Sequence, residues 1–503
     1  MAGEPALEVV GIDKWFGANH ANRGVSLRVE RGTIHGIIGE NGAGKSTIMN
    51  IVYGFLRPDA GEIRVGGRRV TITGPRDAMA CGIGMVHQHF MLVDTFTVLE
   101  NVLLGVEGGA RLRPGLERAR ADLLRLEREF GLEVEPDRPV GDLPVGARQR
   151  VEILKALHRG AELLILDEPT GVLTPQEADH LFRVLRALTA AGRTVILITH
   201  KLREIMELTD AVTVMRAGRV VARRATAATG REELAELMVG RKVPLRVDKR
   251  PAAPGPVVLA VEGLRVTDGA GVERVRGVDL TVRAGEIVGI AGVSGNGQSE
   301  LLEALAGMRP AAAGTVRLGG APPARLDPRA LRRRGVAHVP EDRQRVGLVT
   351  AFAARESAIL GYHDDAAYNG RVLMDGRAVR AHCAGLMDAY DVRPRAPDLP
   401  TAGFSGGNQQ KLVLAREIER NPDLLLVGQP TRGVDIGAIA FIHKRLLALR
   451  DAGKAILLVS AELEEILTLA DRILVMVDGR IAGEVAPADA DERRLGLMMA
   501  GAG

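Results

Sequence analysis

Lys45 and Ser46 close a run, Gly39-x-x-x-x-Gly44-Lys45-Ser46, whose glycine spacing lets backbone N–H groups wrap an anion at the start of a helix. A lysine at that point brings positive charge to the outer phosphates of a nucleotide, and the serine hydroxyl is a ligand for a hard dication. Further along, the apolar run LLILD ends in Asp167, with Glu168 directly after it. A carboxylate at a strand end can hold the shell of that dication, and its neighbour can orient or deprotonate a water. Together these residue types describe hydrolysis of a nucleoside triphosphate, with ATP and Mg²⁺ as the expected substrate and cation.

Such residues need a strand, a loop and a helix to hold them, and the chain spells that unit twice. GIIGENGAGKST (36–47) matches GIAGVSGNGQSE (289–300), each after an apolar strand; GMVHQ (84–88) matches AHVPE (337–341); LPVGARQR (143–150) matches FSGGNQQK (404–411). LLILDEPTGV (163–172) matches LLLVGQPTRG (424–433), and ILITHKL (196–202) matches LLVSAEL (457–463). Lys45 and Gln298, like Gln88 and Glu341, stand 253 positions apart, whereas Pro144 and Ser405, Asp167 and Gly428, and His200 and Ala461 are all 261 apart. One small insertion in the second copy, between these two groups of motifs, accounts for the change. The second copy keeps the frame and drops the chemistry: Gln298 stands for the lysine, Gly428 and Gln429 for the acidic pair, Ala461 for His200.

A chain of 503 residues with 46% apolar content is long enough for two or more domains with sizeable cores. RKVPLRVDKRPAAPGPVV (241–258) is rich in Pro and charge and reads as a linker, so a first domain is expected over 1–245, a linker over 246–256 and a second domain over 257–503. Strands alternating with amphipathic segments indicate α/β units around a mainly parallel sheet. One such segment places Leu116, Ala119, Leu123, Leu126 and Phe130 at helical spacing, a stripe that faces a core. After the phosphate loop, IMNIVYGFL is expected to be helical throughout. No leader and no run of 18 apolar residues is found, so a chain neither secreted nor membrane-spanning is expected. The only cysteines, Cys81 and Cys383, lie in different halves and read as reduced thiols; His87 and His89 near Cys81 lack a second ligand pair at zinc spacing. A net charge of +4 is small for this length and selects no partner.

These motifs, over nearly the whole chain, resemble a twin ATP-binding cassette (ABC) ATPase. The resemblance implies two tandem P-loop nucleotide-binding domains, each a mainly parallel sheet with an antiparallel β part and a helical subdomain. It implies that Gly39, Asn41, Gly42, Gly44, Lys45, Ser46 and Thr47 cradle the nucleotide, that Ser46, Gln88 and Asp167 hold Mg²⁺, and that Glu168, His200, Gln88 and Lys45 serve catalysis. FSGGNQQ resembles the signature loop, with Ser405, Gly406, Gly407 and Gln409 contributing to a γ-phosphate bound by the opposite cassette. Phe16 stands where an aromatic ring stacks on adenine, although Trp15 could serve instead and a plain core aromatic is a third reading.

Cassettes of this kind pair head to tail, which sorts the substitutions onto two composite sites. The first joins Lys45, Ser46, Gln88, Asp167, Glu168 and His200 to Ser405–Gly407 and keeps a competent residue throughout. The second joins Gln298, Ser299, Glu341, Gly428, Gln429 and Ala461 to LPVGA, where Pro144 replaces the serine and Ala147 the usual glutamine. MVHQHFMLVDTFTVLENV, VPEDRQRVGLV, QPTRGVDIGA and ELMVGR further resemble fused ATPases of bacterial importers for simple sugars and nucleosides. GNGQSEL and GQPTRG are similar to the nucleoside branch. That branch implies two integral-membrane permease subunits, an extracytoplasmic substrate-binding lipoprotein, a place on the cytoplasmic face of the membrane, and no nucleic-acid partner. The long charged helical linker of soluble twin-cassette translation factors is absent, as are the large insertions of cassette proteins in DNA repair.

Overall fold

The computed structural model describes residues 4–17, 19–87, 90–106, 112–171, 173–242, 248–293, 295–434 and 436–499. Contacts divide the chain into two compact units, Met1–Val243 and Pro244–Gly503, each with its own core.

In the first unit, β-branched and leucine-rich runs form the strands Ile34–Ile38, Leu163–Asp167 and Thr194–Ile198, buried at every position. Continuous apolar runs of this length suit the centre of a parallel sheet, covered on both faces. The sheet has six strands in the order Arg219–Ala225, Ala211–Arg216, Ile34–Ile38, Thr194–Ile198, Leu163–Asp167, Ile83–Val86, and all its pairings are parallel except the first. A separate antiparallel sheet is built from Leu7–Phe16, Asn19–Val29, Ala60–Val65 and Arg68–Val70. The helices Val98–Leu103, Leu112–Phe130 and Val145–His158 form a third layer. Their contact is made by the anticipated stripe: Ala119, Leu123, Leu126 and Phe130 are buried, with Leu116 partly so. The helix after the phosphate loop is shorter than expected, Lys45–Val52. It stops because Gly54 turns the chain into the left-handed region at φ 87°, a common way to end a helix.

The second unit repeats the plan, with strand order Val336–Val339, Leu424–Gly428, Ala455–Ser460, Ile287–Ala291, Arg472–Val477, Arg480–Val485 and only the last pairing antiparallel. Its antiparallel sheet holds Val257–Thr267, Glu273–Arg283 and Ala313–Leu318. Its helical layer includes Ala354–Ser357, Gly376–Ala389 and Gly406–Ile418. Between the first two of these, a loop is closed by a bridge from Asn369 to Met374 and leaves Val372 91% exposed. Residues 248–250 are not a free tether: Lys249 Nζ lies 3.0 Å from Asp471, and the buried Arg450 donates to the Arg250 carbonyl at 3.0 Å.

Candidate functional site

Gly44 precedes the helix Lys45–Val52 with φ 95°, and Gly42 has φ 81°, backbone that L side chains rarely adopt. A Cβ on Gly44 would lie 2.5 Å from Asn22 Nδ2, and one on Gly39 would overlap the Met215 carbonyl and come 3.0 Å from the Ala43 Cβ. Close packing therefore requires glycine at 39, φ requires it at 42, and both require it at 44. Asn22, fully buried, donates to the Gly44 carbonyl at 3.1 Å and supports the loop from below; nothing in its own sequence position announced that role. Asn41, Gly42 and Ser46 are exposed on the loop, and Thr47 is half-buried. Gly39→Ala is expected to destabilise the first unit by about 1–3 kcal/mol, because its methyl meets backbone that has to shift. A lowered Tm together with weakened nucleotide binding in a fluorescence titration is the expected result.

Lys45 is almost fully buried and donates to the carbonyls of Gly39 at 2.7 Å and Glu40 at 3.1 Å. Burial pushes its ammonium below the ordinary lysine range, while Glu168, Asp167 and Glu40 pull the other way. Asp167 ends its strand, paired in register with Ile198, and its carboxylate takes a hydrogen bond from Ser46. Burial pushes that carboxyl up, opposed by the Ser46 bond and the Lys45 charge and reinforced by Glu168. Two carboxylates beside one buried ammonium and one hydroxyl form a set of hard oxygen donors with negative charge still to be balanced, so the residues fit Mg²⁺.

Glu168 adopts φ 48°, its N–H bonded to the Ile198 carbonyl at 2.9 Å, which turns its side chain toward the next strand end. There its carboxylate meets His200 Nδ1 at 2.9 Å. Burial works to raise the Glu168 carboxyl, but the hydrogen bond and charge of His200, with Lys45 and Lys201, outweigh it and hold the group below the usual range. An ionised carboxylate fixed by a histidine is suited to orient water and accept its proton. Gln88 lies outside the described residues.

An open cleft of about 580 Å³ runs beside the loop, lined by Phe16, His20, Gly42, Gly44, Thr47 and Gly218. Phe16 is half-exposed, which rules out the core-aromatic reading, and the equally exposed Trp15 instead stacks on His20 with centroids 3.6 Å apart. Of the two rings only Phe16 lines the cleft.

The second unit keeps the same frame in detail. Gly295 and Gly297 have φ 97° and 98°, Gln429 has φ 47°, and its N–H reaches the Val459 carbonyl at 2.8 Å. Its side chain, however, accepts from the Ala461 N–H at 3.1 Å and carries no charge. Ser299 Oγ donates to Glu341 at 2.6 Å, and burial raises that carboxyl, with the Ser299 bond and Arg432 opposing and Glu300 and Glu303 adding to the rise.

The loop Ser405–Gly406–Gly407 opens the helix Gly406–Ile418, presenting free N–H groups at a helix N-terminus. Ser405 is exposed, and its hydroxyl is held by Asn408 at 2.8 Å. Gln409 sits apart from this face: it is buried, with its amide donating to the Thr401 carbonyl at 2.9 Å and accepting from Gln344 at 3.1 Å. It supports the loop and does not present itself to a ligand, a correction to its expected place among the binding residues. Arg343, which sequence reasoning missed, lies against Gly406 and donates to the Arg432 carbonyl at 2.8 Å. Its position two residues after Glu341 carries no signal that it reaches the signature loop.

The family model for ABC transporters matches residues 22–171 and 275–432. The chain is 46% identical over 501 residues to the nucleoside import ATP-binding protein NupA of Lactococcus lactis subsp. cremoris, covering 100% of this chain and 99% of that protein. It is 48% identical over 498 residues to the guanosine import ATP-binding protein NupO of Bacillus subtilis, covering 99% and 98%. To the glucose import ATP-binding protein TsgD13 of Haloferax volcanii it is 45% identical over 533 residues, covering 100% and 97%.

Proposed function

The chain belongs to the ABC transporter family, as an ATPase coupled to import, and from that premise we propose that it energises nucleoside uptake with one hydrolytic site and one degenerate site. In the hydrolytic site, Lys45 and the loop N–H groups bind the phosphates, Glu168 held by His200 prepares the water, and Ser405–Gly407 from the second cassette complete the γ-phosphate shell. Mg²⁺, held by Ser46, Asp167 and Gln88, would neutralise charge building on the phosphate oxygens. The observation that carries this reading is the Glu168–His200 contact at 2.9 Å set against its uncharged counterpart, Gln429 on the Ala461 backbone.

The distribution of substitutions supports head-to-tail pairing of the two cassettes within the chain. Undirected decay of the second half would also erode its own signature loop, yet FSGGNQQK is the better of the two and LPVGARQR the poorer. The second phosphate loop, on this reading, keeps nucleotide but does not turn it over.

The cargo reading rests on GNGQSEL and GQPTRG and on the two nucleoside-type relatives. A glucose importer's ATPase at 45% identity favours simple sugars as the second reading. Overall identity separates the two poorly, because an energising subunit does not touch the cargo. The proposed partners are two integral-membrane permease subunits and an extracytoplasmic substrate-binding lipoprotein, with the ATPase bound peripherally at the cytoplasmic face. Among the described residues no helix is long and apolar enough to cross a membrane. Purification from membranes is expected to bring down two hydrophobic chains, and the associated binding protein is expected to take nucleosides in calorimetric titration. Binding of pentoses or hexoses alone would overturn the cargo assignment, and recovery of ribosomal proteins in place of the permease would overturn the import role.

A further inference from the structure

We propose that Glu204 is a positioning residue for hydrolysis: buried behind the site, it ties the turn that carries Glu168 to the segment that carries His200 and so holds the contact between them. The role rests on the proposed reading of Glu168 as the base and His200 as its support.

Four residues after His200, Glu204 lies in the first turn of the helix Leu202–Leu208 and is 4% exposed. A helix position facing the core ordinarily holds an apolar side chain, and a buried carboxylate is costly unless it is bonded. Its Oε1 takes a hydrogen bond from the hydroxyl of Thr170, itself buried and two residues after Glu168. Burial raises the Glu204 carboxyl, opposed by Lys201, by the hydroxyls of Thr170 and Thr199 and by His200, so the group senses both segments of the site. Thr199 Oγ1 also accepts from the Lys201 N–H at 3.0 Å, closing a turn around His200.

Two contacts therefore join the same two segments: Glu168 to His200 Nδ1 at 2.9 Å, and Thr170 to Glu204. Glu168 stands at φ 48°, a conformation that persists only where the surroundings fix it, and the second tie is part of that fixing. In the second unit the tie is undone. Glu465, the counterpart at the same offset of 261, is 3% exposed in the helix Leu463–Leu469. Its Oε1 is paired with His443 Nε2 at 3.0 Å, and His443 stands where the first unit has Phe182. Thr431, the counterpart of Thr170, is buried there too, yet the carboxylate turns to the helix Ile436–Asp451. The unit with no base and no histidine to align uses its carboxylate elsewhere. Alignment acts on the chemical step, so the effect of Glu204 falls on kcat rather than on the KM for ATP.

The test uses the full chain and follows kcat, KM for ATP and Tm. Glu204→Leu is expected to lower kcat at least about tenfold with KM within about twofold, a part of the roughly 10²-fold that a misplacement of about 1 Å can cost. Thr170→Val is expected to give the same loss, and the double variant no more than either alone, because the two side chains act as one bond. Glu204→Gln, whose amide oxygen still accepts from Thr170, is expected to keep kcat within about threefold of the parent. Glu465→Leu removes an equally buried carboxylate from the second unit and is expected to leave kcat within about twofold at a similar cost in Tm. Equal losses of kcat from Glu204→Leu and Glu465→Leu, or additive losses from Glu204→Leu and Thr170→Val, would mark a structural role alone and overturn the assignment. Where Glu204→Leu does not fold, Thr170→Val decides, and full turnover in that variant overturns the assignment equally. If Glu168→Gln retains most of the turnover, the underlying reading of the base fails instead.

Discussion

Glu168→Gln is expected to lower steady-state ATP turnover at least about 100-fold while leaving nucleotide affinity within a few-fold of the parent. In its proposed role Glu168 is a positioned general base, whose loss costs about 10²–10⁴ in rate, and the matching place in the second unit holds the uncharged Gln429. The substitution does not threaten the fold, because the protein already carries the answer to that question at the matching place. Gln429 holds φ 47° where Glu168 holds 48°, and each N–H reaches the neighbouring strand, at 2.8 Å and 2.9 Å. A glutamine thus fits the turn and retains a hydrogen-bonding side chain, but it accepts no proton. Single-turnover and steady-state phosphate release on the full chain, with a nucleotide titration beside them, make the measurement. Survival of most of the turnover would place hydrolysis somewhere other than the Lys45 loop and would undo the assignment of one working site.

Much of this was legible in the residues. Glycine spacing, strand-end acids and the repeat revealed two α/β units and the loop at 39–47, because those features act locally: a left-handed glycine or an apolar strand needs no distant partner to be recognised. What escaped was contact between segments far apart in the chain. Asn22 under Gly44 and Arg343 against Gly406 are ordinary polar residues until the fold brings them to the loops. Gln409 shows the converse, since its place beside the signature glycines suggested binding, whereas helix geometry turns its amide inward to Thr401 and Gln344. The helix after the phosphate loop was read too long because its apolar run continues past the turn at Gly54. Glu341 is the most instructive case. In sequence it is a substituted glutamine position and Gly428 a missing acid; only the fold shows that Glu341 takes a hydrogen bond from Ser299 at 2.6 Å and occupies the space beside Gly428.

Gly406→Val is expected to reduce turnover at least about 100-fold, and the mirror change Val145→Gly to leave it within about twofold, the larger figure reflecting the cost of losing preorganised N–H donors to a transition-state oxyanion. The pair exchanges what the two loops carry at equivalent places. Val145 is 42% exposed at the start of its helix, after Pro144, which has neither an N–H nor a hydroxyl to offer an anion where Ser405 stands in the other unit. Gly406 is bare because Arg343 lies over it and the Gly433 carbonyl would stand 3.2 Å from a Cβ. A valine there displaces the guanidinium and shields the N–H groups at the start of the helix Gly406–Ile418, which the proposed function assigns to the γ-phosphate. An unchanged Tm for the second unit separates this local effect from unfolding. If the cassettes worked independently, a lesion in the unit that lacks lysine, base and histidine would leave the hydrolysis of the other untouched. A large loss from Gly406→Val, without loss from Val145→Gly, therefore requires the second unit's loop to serve the first unit's nucleotide.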